Sequence, residues 1–568
     1  TTQPIISNNT ISGNTHHGFA NTQGPNVLAR NNFWGSDYGP ASAVYNPTGK
    51  GDTVSNYVDF IPWKTLGGAL PVTQITSDIT ANTNWSSGVY WVKNSITVNA
   101  GATLSIDSGV VVKFSASTYL NVLGSLKAIG KSNKLVVFTS IKEDSYGGDT
   151  NGDSTLMIPS VGDWSGVQFN GVPADTSQLT YCLFRFASND VALTNSTIKI
   201  ANSFFTNASG SGIYFFNSTG IISSSTFSGN VQNGILLNGY YGGVCDVTVR
   251  NSTIQYNQQI GMYGWTQYGG YSAFREISNC VISRNGSNGI QVLNANLPQT
   301  YVGNTISNNG GAGIVAYSSV PIQIAGNTVT DNTSDGIVSS RAQVIDNTIQ
   351  RNRYPLVVFG KLGNTYVDNY GVDGNIISGN TFNKAIGIGS YGYTLQDTLA
   401  LVFPQAITSK IYVALENLSV SSGNTLVVRP GVVVKMSSGV QLDVSGTLLA
   451  QGTLANPVVF TSYRDATYGG VTYSDAVAPV PGNWNGVNLN SASSVIDNCV
   501  FKYGTNNLYI GSSLSTPVTN ITSRKSSSSG VYIYNSQVTI TGALVDSSLA
   551  HGILLNGYYG GVCDVTVR

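Results

Sequence analysis

The sequence predicts an all-β fold, a parallel β-solenoid with coils of about 20–28 residues. Three observations predict it. Short β-branched runs ending in Asn recur along the chain. A Gly-apolar pair follows most of them. A far longer passage repeats at about 320 residues. Apolar residues alternate with period two and are broken by Asn and Gly, which is strand and turn patterning and not helical patterning.

The runs are "NTISGN" (9–14), "STFSGN" (225–230), "STIQYN" (252–257), "CVISRN" (280–285), "NTISNN" (304–309), "NTVTDN" (327–332), "NTIQRN" (347–352) and "NIISGN" (375–380). From Phe227 to Ile349 their apolar centres are 27, 28, 24, 23 and 20 residues apart. Gly234-Ile235, Gly261-Met262, Gly289-Ile290, Gly313-Ile314 and Gly336-Ile337 each open a further alternating strand. One period is one coil of two or three strands, hydrogen-bonded to the coils on either side. A coil loses about 1–2 kcal/mol of backbone entropy per residue, while each apolar side chain it buries returns about 1.5–3 kcal/mol. Coils are therefore stable only in stacks.

The closing Asn is expected at one corner of successive coils. Asn230, Asn257, Asn285, Asn309, Asn332 and Asn352 form the predicted ladder. Asn tolerates left-handed backbone at a turn, and stacked amides bond from coil to coil. The preceding residue varies (Gly229, Tyr256, Arg284, Asn308, Asp331, Arg351), as a solvent-facing column does. Asp331 and Arg351 are predicted to pair across adjacent coils.

These rungs, clear over 190–390 and partial over 1–33, resemble the right-handed parallel β-helix repeats of secreted bacterial and archaeal proteins. That superfamily includes carbohydrate-binding proteins, sugar hydrolases, pectate-lyase-like enzymes and a periplasmic copper-site maturation factor. The resemblance implies a right-handed parallel β-helix and an extracellular or cell-surface setting. It does not select an activity, because one fold hosts many.

The long repeat sets the expected domains. "GATLSIDSGVVVKFSASTYLNVLGSLKAIGKSNKLVVFTS" (101–140) aligns with "GNTLVVRPGVVVKMSSGVQLDVSGTLLAQGTLANPVVFTS" (423–462) at an offset of 322. The closing string "HGILLNGYYGGVCDVTVR" (551–568) repeats 233–250 with one change, Asn233 to His551. Residues 73–402 read as one complete unit and 403–568 as the start of a second, truncated copy. Residues 1–66 read as the end of a preceding unit. Their "NNFWGSDYGPASAVYNPTGKGDTVSNYVDFIPW" (31–63) resembles the Trp/Pro closing segment of secreted β-helix domains, which is expected to plug an open coil end. The chain is expected to be part of a longer tandem array.

Composition bounds the partners. Net charge is zero, with 27 Lys+Arg against 27 Asp+Glu, so no field attracts nucleic acid. The apolar fraction of 41% excludes disorder, and no apolar run reaches membrane-span length. The five Cys form no zinc spacing and sit in alternating apolar strands, so they are expected as small buried thiols. The adjacent His16 and His17 point to opposite faces of a strand and make a poor chelate.

Candidate chemistry falls in three places. Asp149, Asn151 and Asp153 stand at i, i+2, i+4 in "DSYGGDTNGDST", a spacing that presents oxygens to Ca²⁺. The EF-hand pattern fails, however, and the second copy has Val471 and Tyr473 at two of these positions. Asp331, Asp335, Asp346 and Arg351, with Arg341 and Arg353, are the best candidates for the carboxylate-and-base cluster of a β-helix hydrolase or lyase. Ordinary surface charge is the competing reading of that cluster. Tyr240, Tyr241, Tyr263, Trp265 and Tyr268 stand on Gly-rich loops, where rings stack on sugars or on a protein partner.

The function expected is an extracellular structural or adhesive solenoid, a rod, filament or sheath component without catalysis. Its partners would be its own copies, a cell surface or a polysaccharide. The alternative is a carbohydrate-binding or carbohydrate-active β-helix. No cofactor is expected unless Ca²⁺ binds at the acidic loop.

Overall fold

The computed structural model describes residues 4–23, 26–47, 49–61, 63–64, 72–153, 156–172, 176–318, 320, 322–340, 342–359, 375–382, 385–389, 399–401, 411–473, 477–491, 493–511, 514–558 and 560–568. They divide into two compact units, Thr1–Gly310 and Gly311–Arg568. That division falls among the Asn-ended rungs, whereas the repeat boundary read from the sequence is at 402/403. Residues 66, 402 and 403 lie outside the described set. Among the described residues every regular element is a strand, and the strands make about 19 turns of a parallel β-solenoid. No helix among them is long and apolar enough to cross a membrane.

Three parallel ladders build the first unit. The first sheet runs from Val72–Ile75 through Val111–Phe114 and Cys182–Arg185 to Thr253–Gln255 and Thr305–Ser307. The second includes Leu120–Val122, Ile213–Phe216, Ile235–Tyr240 and Met262–Gln267. The third includes Thr103–Asp107, Val244–Arg250 and Tyr271–Ser278. Pairing is in register, with Phe184 opposite Phe205 and Phe205 opposite Phe227. Like side chains therefore stack inside the coil. The rings of Phe138, Phe184, Phe205 and Phe227 lie nearly parallel, with centroids 4.5, 5.1 and 4.7 Å apart. Ile254, Ile282 and Ile306 continue that column by register, all fully buried. Cys182, Cys245, Cys280 and Cys499 are buried thiols, as their strand patterning predicts, and Cys563 is half-buried.

The N-terminal segment covers the flank of the first sheet. Its own strands Val27–Leu28 and Val58–Asp59 pair in parallel. Trp34, Phe60 and Trp63 bury against Val89, Val111 and Val137. These valines are the outward residues of their strands, so this face of the sheet is apolar and needs a cover. Pro62 lies outside the described residues.

The second unit begins with the same three-sheet pattern and then shifts by one sheet. Ala385–Gly389 of the second sheet pairs with Ile411–Ala414, which pairs with Val433–Met436. In the first copy the counterpart of Val433–Met436 is Val111–Phe114, a first-sheet strand. The second copy thus restarts one sheet further round the coil.

The corner geometry corrects one expectation. Asn230, Asn257, Asn285, Asn309, Asn332 and Asn352 are buried but are not the left-handed residues. Positive φ belongs to the variable residue before each: Gly229 (72°), Tyr256 (56°), Arg284 (55°), Asn308 (58°), Asp331 (59°) and Arg351 (54°). The left-handed residue turns its side chain outward, so any type fits there. The turn in turn aims the next side chain inward, where an amide donates to one neighbour and accepts from the other along the stack.

Candidate binding face and candidate metal loop

The Asn ladder is present in both units. Asn230 Nδ2 donates to Asn257 Oδ1 (2.8 Å), Asn257 to Asn285 (2.9 Å) and Asn285 to Asn309 (3.0 Å). In the second unit Asn332 donates to Asn352 (3.0 Å) and Asn352 to Asn380 (3.2 Å). Asn14 is exposed and bonds Asp52 instead. A second ladder escaped the sequence reading. Its first-unit part uses Ser: the backbone N–H of Cys182 donates to Ser203, that of Ser203 to Ser225 and that of Ser225 to Ser252, each at 3.1 Å. In the second unit the column is Asn327, Asn347 and Asn375, linked at 2.9 and 3.0 Å. The second Asn inside "GNT" and "DNT" was its only signal.

The candidate catalytic carboxylates are engaged one by one. Arg351 holds Asp331 through two bonds of 2.5 and 2.6 Å, the predicted coil-to-coil pair. That guanidinium keeps the Asp331 carboxyl below its ordinary range. Arg353 grips the buried Asp335 at 2.8 and 2.6 Å, and the Tyr354 N–H adds a third bond. Asp346 is exposed at a turn with φ 54°. Arg341 lies outside the described residues. These contacts give no pair of carboxyl groups facing one substrate position, which glycoside hydrolysis requires.

The acidic loop gathers more than its spacing showed. Asp144 joins Asp149 and Asp153, with one carboxylate oxygen from each within 4.8 Å of the others. Asn151 is tied to the same group, its Nδ2 donating to Asp153 Oδ2 at 2.7 Å. Three carboxylates are the oxygen set a hard cation such as Ca²⁺ takes. At the matching positions of the second copy stand Ala466, Val471 and Asp475, so one carboxylate of the three remains. Millimolar Ca²⁺ is expected to raise the unfolding temperature of the wild type and not that of Asp144→Asn. Equal shifts, or none in either, would rule out a Ca²⁺ site on this loop.

Beneath the loop lies a buried charge cluster that sequence reasoning missed. Lys113, Glu143 and Arg185 are all essentially inaccessible to solvent. Arg185 Nη1 is 3.1 Å from Glu143 Oε2, and Lys113 Nζ donates to Gly148 O at 2.5 Å. Burial pulls the Lys113 ammonium down to about 8. Arg185 also donates to Tyr45 O (3.0 Å) and lies over the rings of Phe186, Trp63 and Tyr146. The second copy rebuilds the device with other residues. Lys435 Nζ donates to Gly470 O at 2.5 Å, and Lys502 sits 3.2 Å from Asp465. Trp164 Nε1 donates to Arg185 O and Trp484 Nε1 to Lys502 O, both at 2.8 Å. Acid and cation change together, Glu–Arg to Asp–Lys, while the loop geometry stays. The cluster pins the Tyr-Gly-Gly loop to the sheet, and its visible trace was the Lys in "VVVKF" and "VVVKM".

The aromatic residues share one face. Outward positions of the second sheet carry Tyr214 and Phe216, then Leu236 and Asn238, then Tyr263 and Trp265 in register. Tyr240, Tyr241 and Tyr268 crown two neighbouring loops. The Tyr241 and Tyr268 rings stack at 5.1 Å, and Tyr240 meets them edge-on at 4.5 and 5.3 Å. Tyr241 and Tyr268 are 72% and 68% exposed. The loops touch so closely that a Cβ on Gly270 would stand 2.3 Å from Gly239 C. The five aromatic candidates are thus brought together, and Tyr214 and Phe216 extend the set.

The family model for the right handed beta helix region matches residues 165–297 and, overlapping, 243–400. Among solved structures, this β-helix is similar to a variant of the periplasmic alginate epimerase AlgG, at 14% identity, 63% of this chain, 76% of that chain and TM-score 0.27. It is similar to the Agl-KA catalytic domain at 12% identity, with 82% and 63% of the two chains covered and TM-score 0.22. PfbA, a surface adhesin of Streptococcus pneumoniae, is 11% identical, with 84% and 83% covered and TM-score 0.12. These likenesses are of fold class alone. No curated protein matches the β-helix chain in sequence.

Proposed function

We propose that the protein is an extracellular or cell-surface structural or adhesive β-helix, a rod, filament or sheath component that associates with its own copies or with surface polymers. One observation carries this reading. Where a β-helix enzyme would present converging acids, Asp331 and Asp335 are each tied to an arginine of the next coil. The enzymatic alternative would need such acids free to face a substrate. The second copy also keeps the buried pinning cluster while losing two of the three carboxylates of the acidic loop, as selection for a stable rod does.

Electron microscopy of the native material tests the reading. Ordered filaments or sheets with an axial repeat matching the solenoid units are expected. Isolated short rods at all protein concentrations, without surface attachment, would sink it.

A further inference from the structure

The two copies differ in age-independent fashion. Over 191–232 against 509–550, eight of 42 residues recur at an offset of 318. Over 233–250 against 551–568, 17 of 18 recur. Both stretches belong to one duplicated segment, so elapsed time does not explain the contrast. Core packing does not explain it either. Inward positions tolerate exchange among Ile, Leu and Val, yet here the outward Leu236, Asn238, Tyr240 and Tyr241 recur unchanged.

The few residues retained in the preceding coil include the supports of this loop. Asn238 Nδ2 donates to Tyr214 OH at 3.1 Å, and in the second copy Asn556 donates to Tyr532 OH at 2.7 Å. The Tyr240 N–H donates to Asn217 Oδ1 at 2.7 Å, and that of Tyr558 to Asn535 Oδ1 at 2.9 Å. Gly243 and Gly561 complete the fit, since a Cβ would fall 2.0 Å from Asn217 Cγ or 2.2 Å from Asn535 Cγ. Tyr214 and Asn217 are both among the recurring eight. What is preserved is the Tyr-Tyr loop sequence together with the Tyr and Asn groups that hold its first tyrosine in place.

We infer that the tower of Tyr240, Tyr241 and Tyr268 and the aromatic sheet face beside it form a binding site, in the first copy, for an uncharged polysaccharide strand. The inference extends the adhesive part of the proposed function and rests on it. The chemistry of the face selects the ligand. Its outward side chains are phenols, an indole, amides and apolar groups, without a formal charge among Tyr214, Phe216, Asn238, Tyr240, Tyr263 and Trp265. Asp246 and Arg250, on the third sheet, are paired with Arg275 and Glu276. A polyuronate would find no cation here, and a charged protein no complement. Exposed rings take the C–H faces of pyranoses, while phenol and amide groups reach the hydroxyls. Coils rise by about 4.8 Å, so a column of side chains offers a contact at nearly every sugar of a strand laid along it.

The test uses the full chain on insoluble cellulose, chitin and amylose, with alginate and polygalacturonate as charged controls. Retention on at least one neutral polymer, resistant to 1 M salt, is expected. Tyr240→Ala/Tyr241→Ala should weaken it about ten-fold, the scale of two lost ring contacts, and the fourfold variant that adds Tyr263→Ala and Trp265→Ala should abolish it. Tyr241 and Tyr268 are 72% and 68% exposed, so Tyr241→Ser and Tyr268→Ser serve as variants that leave the fold intact. No retention on any neutral polymer, retention by the uronates alone, or unchanged binding in the serine and fourfold variants would overturn the inference. Microscopy reads assembly and this assay reads glycan contact, so either conclusion can fail without the other.

Discussion

Glu143→Ala is expected to cost the first unit about 3–5 kcal/mol, the usual penalty for removing one partner of a buried ion pair. Glu143 is fully buried and faces Arg185, itself 1% exposed, at 3.1 Å. Its other oxygen accepts the Ser145 N–H at 3.0 Å and so shapes the start of the loop. Without the acid, the buried Arg185 guanidinium keeps the Tyr45 carbonyl, three aromatic rings and the buried Asp190, whose carboxyl burial raises well above its ordinary range. Ring faces attract a cation by about 0.5–2 kcal/mol each, too little to replace a carboxylate. The double variant Glu143→Leu/Arg185→Met should recover most of the loss, because it removes both charges and keeps volume. In the second copy Asp465→Ala should cost less. There Lys502 is 12% exposed and can turn its ammonium to water. Solenoids unfold coil by coil, so hydrogen exchange in Val136–Ser140 and Cys182–Arg185 is the measurement. Exchange in Glu143→Ala within about 1 kcal/mol of wild type would contradict the pinning role.

Asn285→Ala is expected to cost about 3 kcal/mol or more, with faster exchange in the coils on both sides. Asn285 Oδ1 accepts from Asn257 Nδ2 (2.9 Å) and from the Asn257 N–H (3.2 Å). Its Nδ2 donates to Asn309 Oδ1 (3.0 Å) and Ile254 O (3.1 Å). Truncation strands buried polar groups on two neighbouring coils, at about 1–3 kcal/mol for each left unsatisfied. Asn285→Asp should be at least as harmful, since a carboxylate cannot donate to Ile254 O. Arg284→Gly, one residue away, should leave stability within about 1 kcal/mol. Its φ of 55° already suits glycine, and its side chain points outward. Similar losses at both positions would mean that the corner depends on backbone and not on the ladder.

The adjacent pair Arg284 and Asn285 also shows where the sequence was legible and where it misled. Pattern placed the corner correctly, and it ranked Asn285 as the constant and Arg284 as the variable residue. It assigned the left-handed backbone to the wrong one of the two, because Asn is the residue type that tolerates αL best. Only the fold shows that the amide is spent on its neighbours. Asp331 and Arg351 were paired correctly from a 20-residue spacing, since equal coil lengths make sequence distance a map of contact. Asp149 and Asp153 were found by local spacing, whereas Asp144 needed the loop's curvature to join them.

Whatever repeats locally was determined by the sequence alone. The all-β class, the coil length, the stacked Asn corners and the duplicated segment all follow from short-range alternation and in-register pairing, which each coil states again. The tertiary structure decided what joins distant, non-equivalent residues. Glu143 meets Arg185 only because the intervening chain closes a coil between them. The Trp63 segment lies on the flank of the first sheet because Val89, Val111 and Val137 face outward there. The second copy shifts to another sheet at Ile411–Ala414. Such contacts carry no period, and the free energy that selects them comes from burying particular surfaces together, which a one-dimensional pattern does not encode.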